Sequence, residues 1–331
     1  MSIINHAKNL LQAAVVSAVV LAPAVQAEAI TLRGASMFDN EHAFTKTMVR
    51  FGELVDQYYD GELVMDLRLN GELGVESDYV TFLNQGVAID YSIMAPSNMA
   101  TFAPAIPLMD MPFLFRDLEH WNAVLSSDVL APLEGELKEK ADLVVVGYSG
   151  GGTRNLISSK AIGNIDELAG HKMRVMGAPI QAQIFAAIKA APSAIAYNEV
   201  YNAIQTGVVS GLENEAASLQ NLKFYEVAPH VTLTRHSITV RPIVFSGKSM
   251  RKLPVELQAA IMRAGKEAGA FGRELEARED SAKLKEMADA GQIQLQEFAN
   301  REQLLELVTP VQDEYAAELG ATDLLAAIRA K

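Results

Sequence analysis

Asp142-Leu-Val-Val-Val-Gly-Tyr-Ser-Gly-Gly-Gly152 is the stretch around which the chain is organised. Its first half is an apolar, valine-rich run of strand length, which reads as a buried strand. Three glycines in a row start a helix poorly, so Gly150 to Gly152 predict a flexible or tightly turned crossover. On the N-terminal side, segments alternate. Strands are expected at 30–33, 63–67 and 88–94. Helices are expected at 41–58, where Phe44, Met48, Phe51 and Leu54 recur at helical spacing, and at 78–84. A second alternating series follows, with strands at 171–175 and 208–212, helices at 179–189 and 198–206, and extended segments at 230–234 and 237–245. Strand–helix alternation is the pattern of an α/β fold with a largely parallel sheet. Two such units, joined near residue 150, are expected.

The segment 253–290 breaks the alternation. It is almost continuous helix former, with Gly265, Gly269 and Gly272 as its weak points. At 1.5 Å per residue it would be about 55 Å long, more than one small lobe is wide. Its apolar positions hold no clean heptad, so it is expected to span both units. A last helical region is expected at 301–330.

The N-terminus has a separate reading. Lys8 precedes an apolar stretch at 10–22 that is too short to cross a bilayer comfortably. Pro23 and Val25-Gln26-Ala27 then supply the small residues a signal peptidase reads, which predicts an exported protein cut after Ala27. With 331 residues, half of them hydrophobic, the chain can build a large core in two lobes. Acids outnumber bases 41 to 28, and no basic stripe appears, which argues against a nucleic-acid partner. There is no cysteine, hence no disulfide, thiolate site or thiol nucleophile. The six histidines include no H-x-x-x-H pair, and no phosphate- or dinucleotide-binding glycine fingerprint is present. No metal or cofactor is expected.

One enzyme motif occurs. Gly147-Tyr148-Ser149-Gly150-Gly151 fits the G-x-S-x-G pattern of a nucleophile elbow after a strand, which would make Ser149 the nucleophile of a secreted hydrolase. The elbow needs a helix directly behind it, and Gly152-Thr153-Arg154-Asn155-Leu156 reads as extended instead. Two arginines stand out. Arg174 lies within the apolar run Lys172-Met-Arg-Val-Met176, where a charge needs a partner. Arg154 lies just past the glycines. A guanidinium fork suits a carboxylate, either on a ligand or on one of the chain's own acids. Glu213-Asn214-Glu215 closes a strand, where α/β proteins place ligand contacts, although Asn214 would serve equally as a helix cap.

These residues carry a resemblance. Ala196-Tyr-Asn-Glu-Val-Tyr-Asn-Ala-Ile-Gln-Thr-Gly-Val-Val-Ser-Gly-Leu-Glu-Asn214 resembles the signature of DctP-type substrate-binding proteins of tripartite ATP-independent periplasmic (TRAP) transporters. Leu73-Gly-Val-Glu76, Met111-Pro-Phe-Leu-Phe-Arg116 and Lys172-Met-Arg-Val175 match in the same order, so the resemblance covers the whole chain beyond the leader. It implies two α/β lobes, here 28–151 with 240–279 and 152–239 with 280–331, closing on a ligand like a clamshell. It implies a periplasmic, monomeric carrier that passes a small organic acid to small and large membrane subunits driven by an ion gradient. It assigns the ligand carboxylate to Arg174, with Arg154, Asn214 and Tyr197 beside it. A side pocket of Glu41-His42, Glu76 and Asn98 is expected to contact the rest of the ligand, with Glu215 as a further polar contact. Ser210 replaces the family's usual aspartate, and no acid stands near Ala95-Pro96-Ser97-Asn98, which argues against sialic acid. The expected ligand is a sugar acid such as a uronate or aldonate. The alternative is a C4-dicarboxylate or 2-oxo acid, with carboxylates on both Arg154 and Arg174.

Overall fold

Leu143 to Val146 do form a strand, but the glycines behind them do not end it. A computed structural model describes residues 29–331, and the expected leader, 1–27, lies outside them. The strands are β1 (Ile30–Ala35), β2 (Leu63–Arg68), β3 (Tyr91–Ile93), β4 (Leu143–Ser158), β5 (Lys172–Val175), β6 (Ala191–Ala194), β7 (Gly211–Asn214), β8 (His230–Ser246) and β9 (Gln294–Glu297). All nine belong to one sheet, in the order β2-β1-β3-β8-β4-β7-β5-β6, with β9 beside β8.

The sheet is mixed rather than largely parallel. β1 runs parallel to β2 and β3, and β5 runs parallel to β6 and β7. The two long strands, β4 and β8, are antiparallel to each other. The two segments expected at 230–234 and 237–245 are thus one 17-residue strand. β3 pairs with the end of β8 near Phe245, while β7 pairs with the end of β4 near Asn155. The α/β units sit at opposite ends of this central ribbon. The join at 150 is a bulge: register shifts between Gly150 and Thr153, and Gly150 and Gly151 take φ of 112° and 122°. Such angles are open to glycine and strained for other residues. The crossover is therefore a continuous strand with an irregular middle.

Helix Ala43–Tyr58 buries Phe44, Met48 and Phe51 against Ile261, Ala264 and Ala268 of the long helix Val255–Asp289. At the other end of that helix, Leu284 and Met287 join Leu212, Leu219 and Val231. The 35-residue helix therefore packs on both halves, as its length requires. The final helical region is two helices, Arg301–Glu318 and Thr322–Arg329, separated at Gly320, which has φ 65°.

The glycines that weaken the long helix have a packing reason. A Cβ on Gly265 would lie 2.4 Å from the Val146 carbonyl oxygen, and one on Gly269 would lie 2.5 Å from that of Tyr148. One on Gly272 would lie 2.1 Å from Ser149 Oγ. With spacings of four and three they share one helical face, and β4 lies directly on it. Ser149 is consequently 1% exposed, in mid-strand, with Thr47 Oγ1 3.3 Å from its hydroxyl. No elbow forms and no attacking group is presented, so the hydrolase reading of Ser149 is set aside.

Gly265→Ala should lower stability in urea by at least ~1 kcal/mol, because overpacking against backbone outweighs the better helix propensity. Gly135→Ala, in helix Ala131–Ala141 with nothing near its Cβ position, should raise stability by up to ~1 kcal/mol. A Gly265→Ala protein as stable as the wild type would contradict the close approach of helix and strand.

Candidate functional site

Adjacent strands bring the expected residues together. In the order β4-β7-β5, Arg154 stands on the first strand, Asn214 ends the second and Arg174 lies on the third. Tyr197 opens the short 3-10 turn Tyr197–Glu199 beyond β6. From the other half, Glu76 is the first residue of helix Glu76–Gln85, and Asn98 lies in the 3-10 turn Pro96–Met99 after β3. These six line one cavity of about 230 Å³, together with Met37, Met176 and Arg241. This is below the roughly 300–1,000 Å³ of pockets for drug-sized molecules and suits a small ligand.

Three buried guanidiniums border the cavity, and they differ in what balances them. Arg154, 5% exposed, is engaged on all sides. Its Nε and one terminal nitrogen grip Glu213 bidentately at 2.5 and 2.8 Å, and its other terminal nitrogen donates to Glu215 Oε2 at 2.8 Å. Burial alone would lower its pKa, but the attraction of Glu213 and Glu215 raises it. Burial likewise pushes Glu213 upward, yet Arg154 and a hydrogen bond from His236 hold it down at about 2. Arg241 Nη1 donates to Glu76 Oε1 at 2.9 Å. Arg174, 4% exposed, has no ion-pair partner among the described residues. Its Nε donates to the Ile195 carbonyl at 3.0 Å, and its guanidinium carbon lies 5.2 Å from the centre of the Tyr197 ring. Desolvation lowers its pKa from the usual arginine value, the mark of a buried cation short of an anion.

Asn214 Nδ2 donates to Tyr197 Oη at 2.7 Å, fixing both side chains at the cavity wall. Burial pushes the Tyr197 phenol up to about 12, so it stays protonated. Glu76 Oε2 accepts from the backbone N–H of Ala95 at 2.8 Å and from Asn98 Nδ2 at 2.7 Å.

Two expected contacts do not reach the cavity wall. His42 is the N-cap of helix Ala43–Tyr58: its Nδ1 accepts from Phe44 N–H, its Nε2 lies 3.3 Å from Ser218 Oγ, and its ring stacks on Phe38 at 3.9 Å. Burial holds its pKa well below the ordinary value, so it is neutral. Glu215, fully buried, faces Arg154 and Ser218 rather than the cavity. Sequence reasoning missed Arg241, although the signal was the one that exposed Arg174, a charge inside an apolar strand.

The family model for bacterial extracellular solute-binding proteins, family 7 (DctP), matches residues 35–319. The chain belongs to the DctP family. A solute-binding protein of Sulfitobacter sp. (strain NAS-14.1) is 71% identical over 331 residues, the full length of both chains. The crystal structure of a TRAP periplasmic solute-binding protein from Sulfitobacter sp. NAS-14.1, with bound α-D-taluronate, is 74% identical. It covers 91% of this chain and 97% of that one, with a TM-score of 0.90. A second such structure from the same strain, with bound β-D-galacturonate, is 27% identical and covers 91% and 100%, with a TM-score of 0.85. This DctP protein therefore has the α/β fold of the TRAP binding proteins. It is a transport component and not an enzyme.

A smaller chamber adjoins the cavity behind Arg154 and Arg241, lined by Asp110 and Gln181 among others. Asp110 accepts from Ser97 N–H at 3.0 Å and Ser97 Oγ at 2.8 Å. Gln181, from helix Pro179–Ala187, donates to Ser97 Oγ at 3.1 Å and to the Asp110 carbonyl at 3.2 Å, which ties the two halves together. Burial pushes the Asp110 carboxyl up to about 6, against the pull of Ser97. The folded state then holds this proton more tightly than the unfolded state does. The group's contribution to stability is largest below about pH 4 and falls as pH rises towards 6. Asp110→Asn lacks this titration. Its melting temperature relative to wild type should therefore climb between pH 4 and 7, and a difference flat across that range would contradict the raised proton affinity.

Proposed function

We propose that this DctP protein captures a sugar acid with a single carboxylate, a uronate or aldonate, in the periplasm. It then hands the ligand to the small and large membrane subunits of a TRAP transporter. One observation carries the ligand class: of three guanidiniums at the cavity, Arg174 alone lacks a carboxylate. A ligand carboxylate supplies it, held by the planar fork. Arg154, committed to Glu213 and Glu215, has no fork left for a second carboxylate, which disfavours the C4-dicarboxylate and 2-oxo acid alternative. Glu76, Asn98, Asn214 and Tyr197 offer acceptors and donors suited to sugar hydroxyls. The uronates in two related binding proteins support the same class.

In this reading the lobes are 28–151 with 240–279 and 152–239 with 280–331. The chain crosses between them at the Gly150 bulge, at the matching part of β8 and within the long helix. Glu76 and Asn98 come from the first lobe, Arg174, Tyr197 and Asn214 from the second, so closure brings the contacts together. The exported protein is a monomer that begins at Glu28, after cleavage behind Ala27, and its intact mass locates the cut.

The test is a thermal-shift titration with hexuronates, aldonates and C4-dicarboxylates. A monocarboxylate sugar acid at 100 times its dissociation constant should stabilise the protein by about 2.7 kcal/mol. Stabilisation by a C4-dicarboxylate, with none by any uronate or aldonate, would overturn the proposal.

A further inference from the structure

Arg241 and Glu76 form a buried ion pair at the cavity wall, and both line the cavity. Glu76 is 7% and Arg241 is 6% exposed. Arg241 lies on β8 opposite Ser149, in the irregular middle of the sheet, and its guanidinium carbon stands 4.6 Å from the centre of the Phe44 ring. Its Nη1 bonds both oxygens of Glu76, at 2.9 and 3.2 Å. No other hydrogen bond of its guanidinium is formed among the described residues. Glu76 Oε2 is filled by Ala95 N–H and Asn98 as well, while Oε1 takes Arg241 alone and keeps a lone pair for another donor.

The charge count follows from these contacts. Arg241 and Glu76 cancel, Arg174 has no carboxylate of its own, and Arg154 is more than cancelled from behind by Glu213 and Glu215. A ligand with a carboxylate at each end would find one cation free and would press its second anion on Glu76. A ligand ending in a hydroxyl would find an acceptor there instead.

We infer that the Glu76–Arg241 pair is the charge filter of this cavity. It rejects sugar acids that carry a second carboxylate and accepts those that carry a hydroxyl in its place. The inference rests on the monocarboxylate reading of the site. Selectivity would then reside in a repulsive element, the Glu76 carboxylate, with Arg241 as the residue that positions it. Removing the Glu76 charge would leave Arg241 as a second, unmatched anion site.

The experiment is calorimetric titration with D-galacturonate and with galactarate, the same carbon skeleton carboxylated at both ends. Each is measured on wild type, Glu76→Gln, Arg241→Gln and the double variant. In Glu76→Gln the preference for galacturonate over galactarate should fall by about tenfold or more. In Arg241→Gln, with Glu76 unmatched, that preference should rise. In the double variant the gain for galactarate should vanish, since no second cation remains. Because each ratio is taken on one folded protein, a merely structural loss would weaken both ligands alike. An unchanged ratio in the single variants would overturn the filter, as would a double variant that keeps the galactarate gain. Should Glu76→Gln not fold, the Arg241→Gln ratio decides alone. A wild type that binds C4-dicarboxylates but no monocarboxylate sugar acid would overturn the parent reading itself, and is thereby told apart from failure of the filter.

Discussion

Taking a guanidinium out of water costs several kcal/mol unless an anion meets it with good hydrogen-bond geometry. Around this cavity the cost is met internally for two arginines and left open for the third. Arg154 is surrounded by Glu213 and Glu215, and Arg241 by Glu76. Arg174 has a backbone carbonyl and an aromatic face, both weak substitutes for a carboxylate. The open position defines the ligand by what the protein lacks. It also explains why so many acids are buried nearby: they neutralise the supporting arginines, so that Arg174 is the one guanidinium at the cavity without a carboxylate of its own.

Such a balance holds only if the supporting groups keep their places. The frame that fixes them is the pair of long antiparallel strands, β4 and β8, with the long helix laid across them. Asp280 of that helix accepts from the backbone N–H of Thr153 and of Ala216, so it grips the ribbon just past the glycine bulge and the start of helix Ala216–Asn221. Thr239 Oγ1 accepts from Gly151 and Gly152 across the bulge. The glycine face on the helix lets it lie against β4 at backbone distance. This seam is where the proposed lobes would hinge in a clamshell closure.

Much of this was legible in the sequence, for physical reasons. The periodicity of 41–58 found helix Ala43–Tyr58, and the length of 253–290 found a helix packed on both halves. A charge in an apolar strand found Arg174. The same signal stands at Arg241, inside an extended run of Val, Ile and Phe. Its partner, Glu76, lies 165 residues away, a pairing that no local pattern encodes. Glu213-Asn214-Glu215 reads in the sequence as either a ligand-facing strand end or a helix cap; the two acids turn to Arg154 and Asn214 lines the cavity. The resemblance puts His42 in a side pocket, whereas its place at the start of helix Ala43–Tyr58 makes it the cap. The bulge at Gly150 was read as a crossover between separate strands, because three glycines hide a strand that continues through positive φ.

The central claim is that Arg174 waits for a ligand carboxylate, and calorimetric titration of folded Arg174→Ala and Arg174→Lys with the sugar acid that binds wild type tests it most directly. Loss of one partner from a buried, hydrogen-bonded ion pair costs ~3–5 kcal/mol, a fall in affinity of roughly 10²–10⁴-fold. The lysine keeps the charge but not the fork, and should still bind poorly. Affinities near the wild-type value in both variants would contradict the account.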